Sequence, residues 1–78
     1  MRGRIDVLFD HDESRGTDYV RTLRAFLDAF GDVALAADCL GVHPNTFRYR
    51  LHRIIELAGL DLDDPEARLA AELRLRFR

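Results

Sequence analysis

Lysine is missing from this chain of 78 residues; its 12 basic residues are all arginine, a usage that can simply reflect a GC-rich genome. Cysteine is almost missing. A single Cys39 excludes an internal disulfide and any cysteine-rich zinc site, and it suits a reducing compartment. Long hydrophobic runs are absent as well, and none approaches the ~20 residues that a membrane span needs. The start Met1-Arg2-Gly3-Arg4 is basic, but Ile5, Val7, Leu8 and Phe9 are too short and too broken a stretch for a signal peptide. The expectation is a cytoplasmic protein that makes no use of a membrane. Chemistry is also under-supplied. There is no Gly-rich phosphate loop and no set of nucleophile, base and orienting group. A chain this short buries about 60% of its unfolded surface, which leaves little room for a substrate cavity. Neither an enzyme nor a cofactor is expected.

What is present is an ordinary globular composition, 47% hydrophobic and 33% charged, with a formal net charge of −2. The sum argues against nucleic acid, but the distribution matters more. From Cys39 to Ile55 the chain carries Arg48, Arg50 and Arg53 and no acid, while the acids lie before and after.

Hydrophobic spacing predicts an all-α fold of four to five helices. Residues 1–16 are the least readable. Ile5–Phe9 fits either a short strand or the end of a helix, and Asp10–Gly16 looks polar and turn-like, so this stretch is set apart as a lead-in to a domain over 17–78. Thr17 or Asp18 can cap a helix whose apolar face is Val20, Leu23, Leu27 and Phe30, with Tyr19 and Phe26 on its flank and Gly31 at its end. Asp32 caps a short helix with Val33, Ala36, Ala37 and Leu40 on one face, stopped by Gly41. Pro44 suits the first turn of a third helix carrying Phe47, Leu51, Ile54 and Ala58, ended by Gly59. Asp64-Pro65 opens a last helix to about Arg76, with Leu69, Ala70, Leu73 and Phe77 expected inward. Asp61, Asp63, Asp64 and Glu66 crowd its start, where the helix dipole favours negative charge.

Two short helices separated by Gly41-Val42-His43 match a helix-turn-helix unit, here over residues 32–58. Ala37 is small where the helices cross, and Val42 plugs the turn into the core. Subtracting the buried stripe leaves Asn45, Thr46, Arg48, Tyr49, Arg50, His52 and Arg53 outside. Arg can bond guanine and Asn adenine through two hydrogen bonds each in the major groove. Asn45, Arg48 and Tyr49 are therefore assigned to bases, with His43 at the groove's mouth. Thr46, Arg50 and Arg53 are assigned to phosphates. The bland reading, a solvated polar face on an ordinary helix, does not explain why short helix, Gly turn, Pro start and acid-free face coincide. The rival is a helical dimerisation or protein-interaction module of the same shape without DNA readout. A further option is sequence-indifferent DNA compaction.

Other groups carry less. His11, His43 and His52 have no metal-ligand spacing. Asp61, Asp63 and Glu72 match positions of a calcium loop, but Pro65 and Glu66 stand where a ligand and a Gly belong, so helix capping is the better account. Cys39 has no catalytic partner and reads as a small buried or half-buried residue. Leu8, Phe9, Tyr19 and Phe26 are either core or a patch for a partner.

In Arg15–Asp18, Thr22–Asp28, Val42–Leu51, Arg53-Ile54, Gly59–Leu62 and Asp64–Leu69 the chain resembles the C-terminal DNA-binding domain of PucR/CdaR-type bacterial transcription regulators, over roughly residues 8–76. The core Asn45-Thr46-x-x-Tyr49-Arg50-Leu51, followed by Asp64-Pro65-x-x-Arg68-Leu69, is its specific part. The reading unit also resembles the Fis type of helix-turn-helix. The resemblance implies a partial chain from a longer regulator with an N-terminal sensory region, homodimeric in full length, bound to double-stranded DNA. One departure is Arg50, where the general pattern often has an apolar residue; Leu51 fills in one position later.

Overall fold

In a computed structural model the chain is described over residues 3–77, leaving Met1 and Arg2 of the basic start, and Arg78, outside the described residues. Five helices follow one another: α1 (Arg4–Arg15), α2 (Tyr19–Asp28), α3 (Val33–Leu40), α4 (Pro44–Ala58) and α5 (Pro65–Arg76). The described residues form no strand, in agreement with the all-α expectation.

The core is built where the helical periods converge. Leu8 of α1, Leu23 of α2, Ala36 and Ala37 of α3, and Phe47 and Ile54 of α4 are fully buried. Leu51 and Ala58 complete the α4 stripe, so all four residues expected inward on that helix are buried. Thr22 is buried with them, its hydroxyl donating to the Asp18 carbonyl at 2.7 Å. α2 packs against every other helix, and α5 packs only on α1 and α2.

Four expectations fail. Asp10–Arg15, read as turn-like, continues α1 up to the left-handed Gly16. Its polar residues are the outer face of a helix whose inner face is Ile5 and Leu8. α2 stops at Asp28, and Phe30 enters the turn with φ 55°, so the apolar period no longer applies and its side chain is 96% exposed. On α5 the inward residues are Ala71 and Leu75, not Leu69, Ala70, Leu73 and Phe77, which are exposed. The helix carries apolar residues on two faces, and the one that meets α1 and α2 is the face of Ala71 and Leu75. Cys39, expected at least half-buried, is exposed on the outer side of α3.

Residues 3–16 are tied into the same core. The Asp6 carboxylate accepts from the Gly3 N–H at 2.9 Å and from Arg74 Nη2 at 2.8 Å. Arg4 Nη1 donates to the Gly59 carbonyl at the end of α4. The Asp12 carboxylate reaches over the Gly16 turn and accepts from the Thr17 hydroxyl and from the N–H groups of Tyr19 (2.8 Å) and Val20 (2.9 Å). It therefore caps α2 in place of Asp18, whose side chain makes no capping bond. His11 completes this joint, with Nδ1 2.9 Å from the Thr17 hydroxyl and its ring stacked on Tyr19 at 4.8 Å.

Candidate nucleic-acid interface

The turn between α3 and α4 is set by backbone chemistry. Asp32 caps α3 by accepting from the Leu35 N–H at 3.0 Å. At the other end Gly41 adopts φ 68°, which lets the Val42 N–H donate to the Ala37 carbonyl at 3.0 Å and close the helix. Val42, half-buried, packs against the core. Extended backbone at His43 then starts α4 with Pro44 in its first turn.

α4 has two opposite ridges. Phe47, Leu51, Ile54 and Ala58 face inward at spacings of 4, 3 and 4. Asn45, Tyr49, His52 and Glu56 repeat the same spacings two residues earlier, so they face solvent, and all four are exposed. Tyr49 is 66% exposed, a high value for an aromatic with no contact to fill it. Arg48 flanks this ridge on one side. Thr46, Arg50 and Arg53 form a row on the other, with Arg50 half-buried against the domain. The residues assigned to bases and those assigned to phosphates thus occupy different sides of one helix face.

Within that face the side chains are partly organised. His43 is the N-cap of α4, its Nδ1 accepting from the Asn45 N–H at 3.0 Å. The ring's remaining N–H is then on Nε2. Arg48 Nη1 donates to Asn45 Oδ1 at 2.9 Å, so the two residues act as one unit. Among the described residues neither Arg48 nor Arg50 has a carboxylate within ion-pair distance. Arg53 lies 3.9 Å from Glu56, and His52 Nε2 lies 2.6 Å from Glu56 Oε1. Glu56 had no role in the sequence reading. It sits on the outer ridge one helical turn beyond His52, and its charge disfavours an anion at the last turn of α4. The first three turns, from Pro44 to Arg53, carry no acid, and the positive end of the helix dipole lies there. The signal for Glu56 was present in the i, i+4 spacing of His52 and Glu56.

The groove of about 510 Å³ between the C-terminal ends of α2 and α5 is lined by Arg24, Asp28, Glu72 and Phe77, away from α4. Among the described residues no group of three or more His, Cys, Asp or Glu is placed to hold a metal ion. No helix there is long and apolar enough to cross a membrane.

Residues 19–77 match the family described as the PucR C-terminal helix-turn-helix domain, which is not a family of enzymes. Among curated proteins, the chain is 32% identical over 71 residues to the DNA-binding transcriptional activator AdeR of Bacillus subtilis, covering 91% of this chain and 17% of that protein. It is 37% identical over 59 residues to the purine catabolism regulatory protein of the same organism, covering 76% of this chain and 11% of that protein. An uncharacterized protein of Mycobacterium tuberculosis is 46% identical over 50 residues, covering 64% of this chain and 12% of that protein. The chain thus spans less than a fifth of the length of each of these relatives. No solved structure matches it.

Proposed function

The chain belongs to the PucR C-terminal helix-turn-helix domain family, and from that premise we propose that it is the sequence-reading, DNA-binding part of a bacterial transcription regulator. The first three turns of α4 enter the major groove. The observation that carries this reading is the face of Asn45, Thr46, Arg48, Tyr49 and Arg53, exposed, with Arg50 half-buried beside it and no acid before Glu56, on a helix held from below by Phe47 and Ile54. Arg48 and Asn45 read base edges as a hydrogen-bonded unit, and Tyr49 packs against them. Thr46, Arg50 and Arg53 bind phosphates on one flank, with the Nε2–H of His43 at the groove's mouth. The names of the two regulators of Bacillus subtilis support the assignment to transcription. A regulator of this type works in the cytoplasm, carries a sensory region N-terminal to this domain, and binds as a homodimer to half-sites about one helical turn apart.

Fluorescence anisotropy on DNA selected from a random pool, repeated at several salt concentrations, tests this. Arg48→Ala relaxes the preference for selected over random DNA. Arg50→Ala weakens binding to both alike and lowers the salt slope by about one unit. Failure to bind any duplex at ~50 mM salt, where phosphate contacts are strongest, sinks the proposal.

A further inference from the structure

α5 is apolar on two faces, and the core uses only one. Ala71 and Leu75 are buried inward. On the opposite side Leu69 is 55%, Leu73 49% and Phe77 76% exposed, in a row at spacings of 4 and 4. Beside this row lie Glu66 in the first turn and Arg76 in the last, while Arg68, Glu72 and Arg74 fall farther round the helix. Arg76 is only loosely engaged, 3.9 Å from an equally exposed Asp28. Because α5 packs on α1 and α2 and not on α4, its outer face can be covered while α4 lies on DNA.

We propose that this face binds α5 of a second copy of the chain, antiparallel, about a two-fold axis at the level of Ala71. In that register Leu69 packs against Leu73 of the partner subunit, and Leu73 against Leu69 of the partner subunit. Glu66 meets Arg76 of the partner subunit, and Phe77 covers Pro65 of the partner subunit. Each pair is equidistant from the level of Ala71, so every contact is made twice, as an isologous interface requires. A parallel arrangement sets Glu66 beside Glu66 and Arg76 beside Arg76. The antiparallel one turns the same charges into attraction. A single helix pair buries less than the ~1,200 Å² of a stable interface, so the isolated chain self-associates weakly, and two DNA half-sites complete the pairing. The inference supplies the partner surface for the homodimer proposed above and rests on that reading for its role on DNA, but self-association is measurable without DNA.

Sedimentation equilibrium of the chain from about 10 μM to 1 mM, without DNA, reads out this range of weak affinities. The wild type shows a concentration-dependent monomer–dimer equilibrium. Leu73→Glu is monomeric throughout, with unchanged helical circular dichroism, because Leu73 is not part of the core. Glu66→Arg weakens association about tenfold by setting like charges together. Adding Arg76→Glu restores association to near the wild-type level. Both changes oppose the helix dipole, so the double variant is less stable to heat even as it regains dimerisation. A merely structural role for the two charges moves stability and association together. A wild type that stays monomeric at the top concentration, as when another part of a longer chain covers this face, overturns the proposal. So does a Leu73→Glu variant that dimerises like the wild type.

Discussion

Phe30 and Gly41 share a positive φ and show what it demands of a side chain. Gly41 sits at φ 68° with open space where a Cβ would go, so Gly41→Ala meets no clash and costs only the backbone term, about 1 kcal/mol. Phe30 holds φ 55° with a Cβ and an almost fully exposed ring, so it bears that cost without compensation from packing. Phe30→Asn, a residue that tolerates left-handed backbone, is expected to stabilise the domain by about 1 kcal/mol and to raise the melting temperature by roughly 5 °C. Thermal melts followed by circular dichroism check both substitutions, and a lower melting point for Phe30→Asn contradicts the account. Asn45 and Arg48 are coupled by their hydrogen bond. Their alanine variants are therefore expected to be non-additive in DNA affinity, in contrast to the Arg48 and Arg50 pair, which lie on different flanks. A double-mutant cycle by anisotropy separates the two cases.

Each helix shows how far local pattern reaches. α3 and α4 were legible because their signals agree: Asp32 as a cap, Gly41 as a left-handed stop, Pro44 in the first turn, and an inward stripe from Phe47 to Ala58 that the structure buries entire. α5 was legible in extent but not in orientation. Leu69, Leu73 and Phe77 form the longer apolar row, and period alone selects it. The space beside α1 and α2 accepts Ala71 and Leu75 instead. α1 was left open between a short strand and the end of a helix, because its C-terminal half, Asp10–Arg15, is uniformly polar and carries no apolar period. The cap of α2 was misassigned because Asp12, which supplies it, is six residues before the helical N-cap and acts across a turn. Asp12→Ala removes the acceptor for two N–H groups and a hydroxyl at once. It is expected to destabilise the domain by about 1–2 kcal/mol, read as a lower denaturation midpoint with an unchanged slope. Asp18→Ala is expected to cost much less.

The whole domain depends on a stretch that precedes the family match. Leu8 is fully buried and Ile5 nearly so, α1 contacts α2, α4 and α5, and Asp6 and Arg4 bond to Arg74 and to the end of α4. Burying one such side chain contributes about 1.5–3 kcal/mol, against a total stability of roughly 4–12 kcal/mol for a chain of this length. A variant beginning at Thr17 is therefore expected to lose cooperative unfolding, seen as a broad, non-sigmoidal denaturation curve. A sharp transition near that of the full chain contradicts this. The helix-turn-helix unit and its outward residues could be read from the chain alone, because caps, glycine stops and short-range spacing act between near neighbours. The α1 packing, the capping of α2 by Asp12 and the choice of face on α5 depended on which surfaces meet in three dimensions. Apolar period marks a face as fit for burial, but only the space left by the other helices determines which of two such faces is filled.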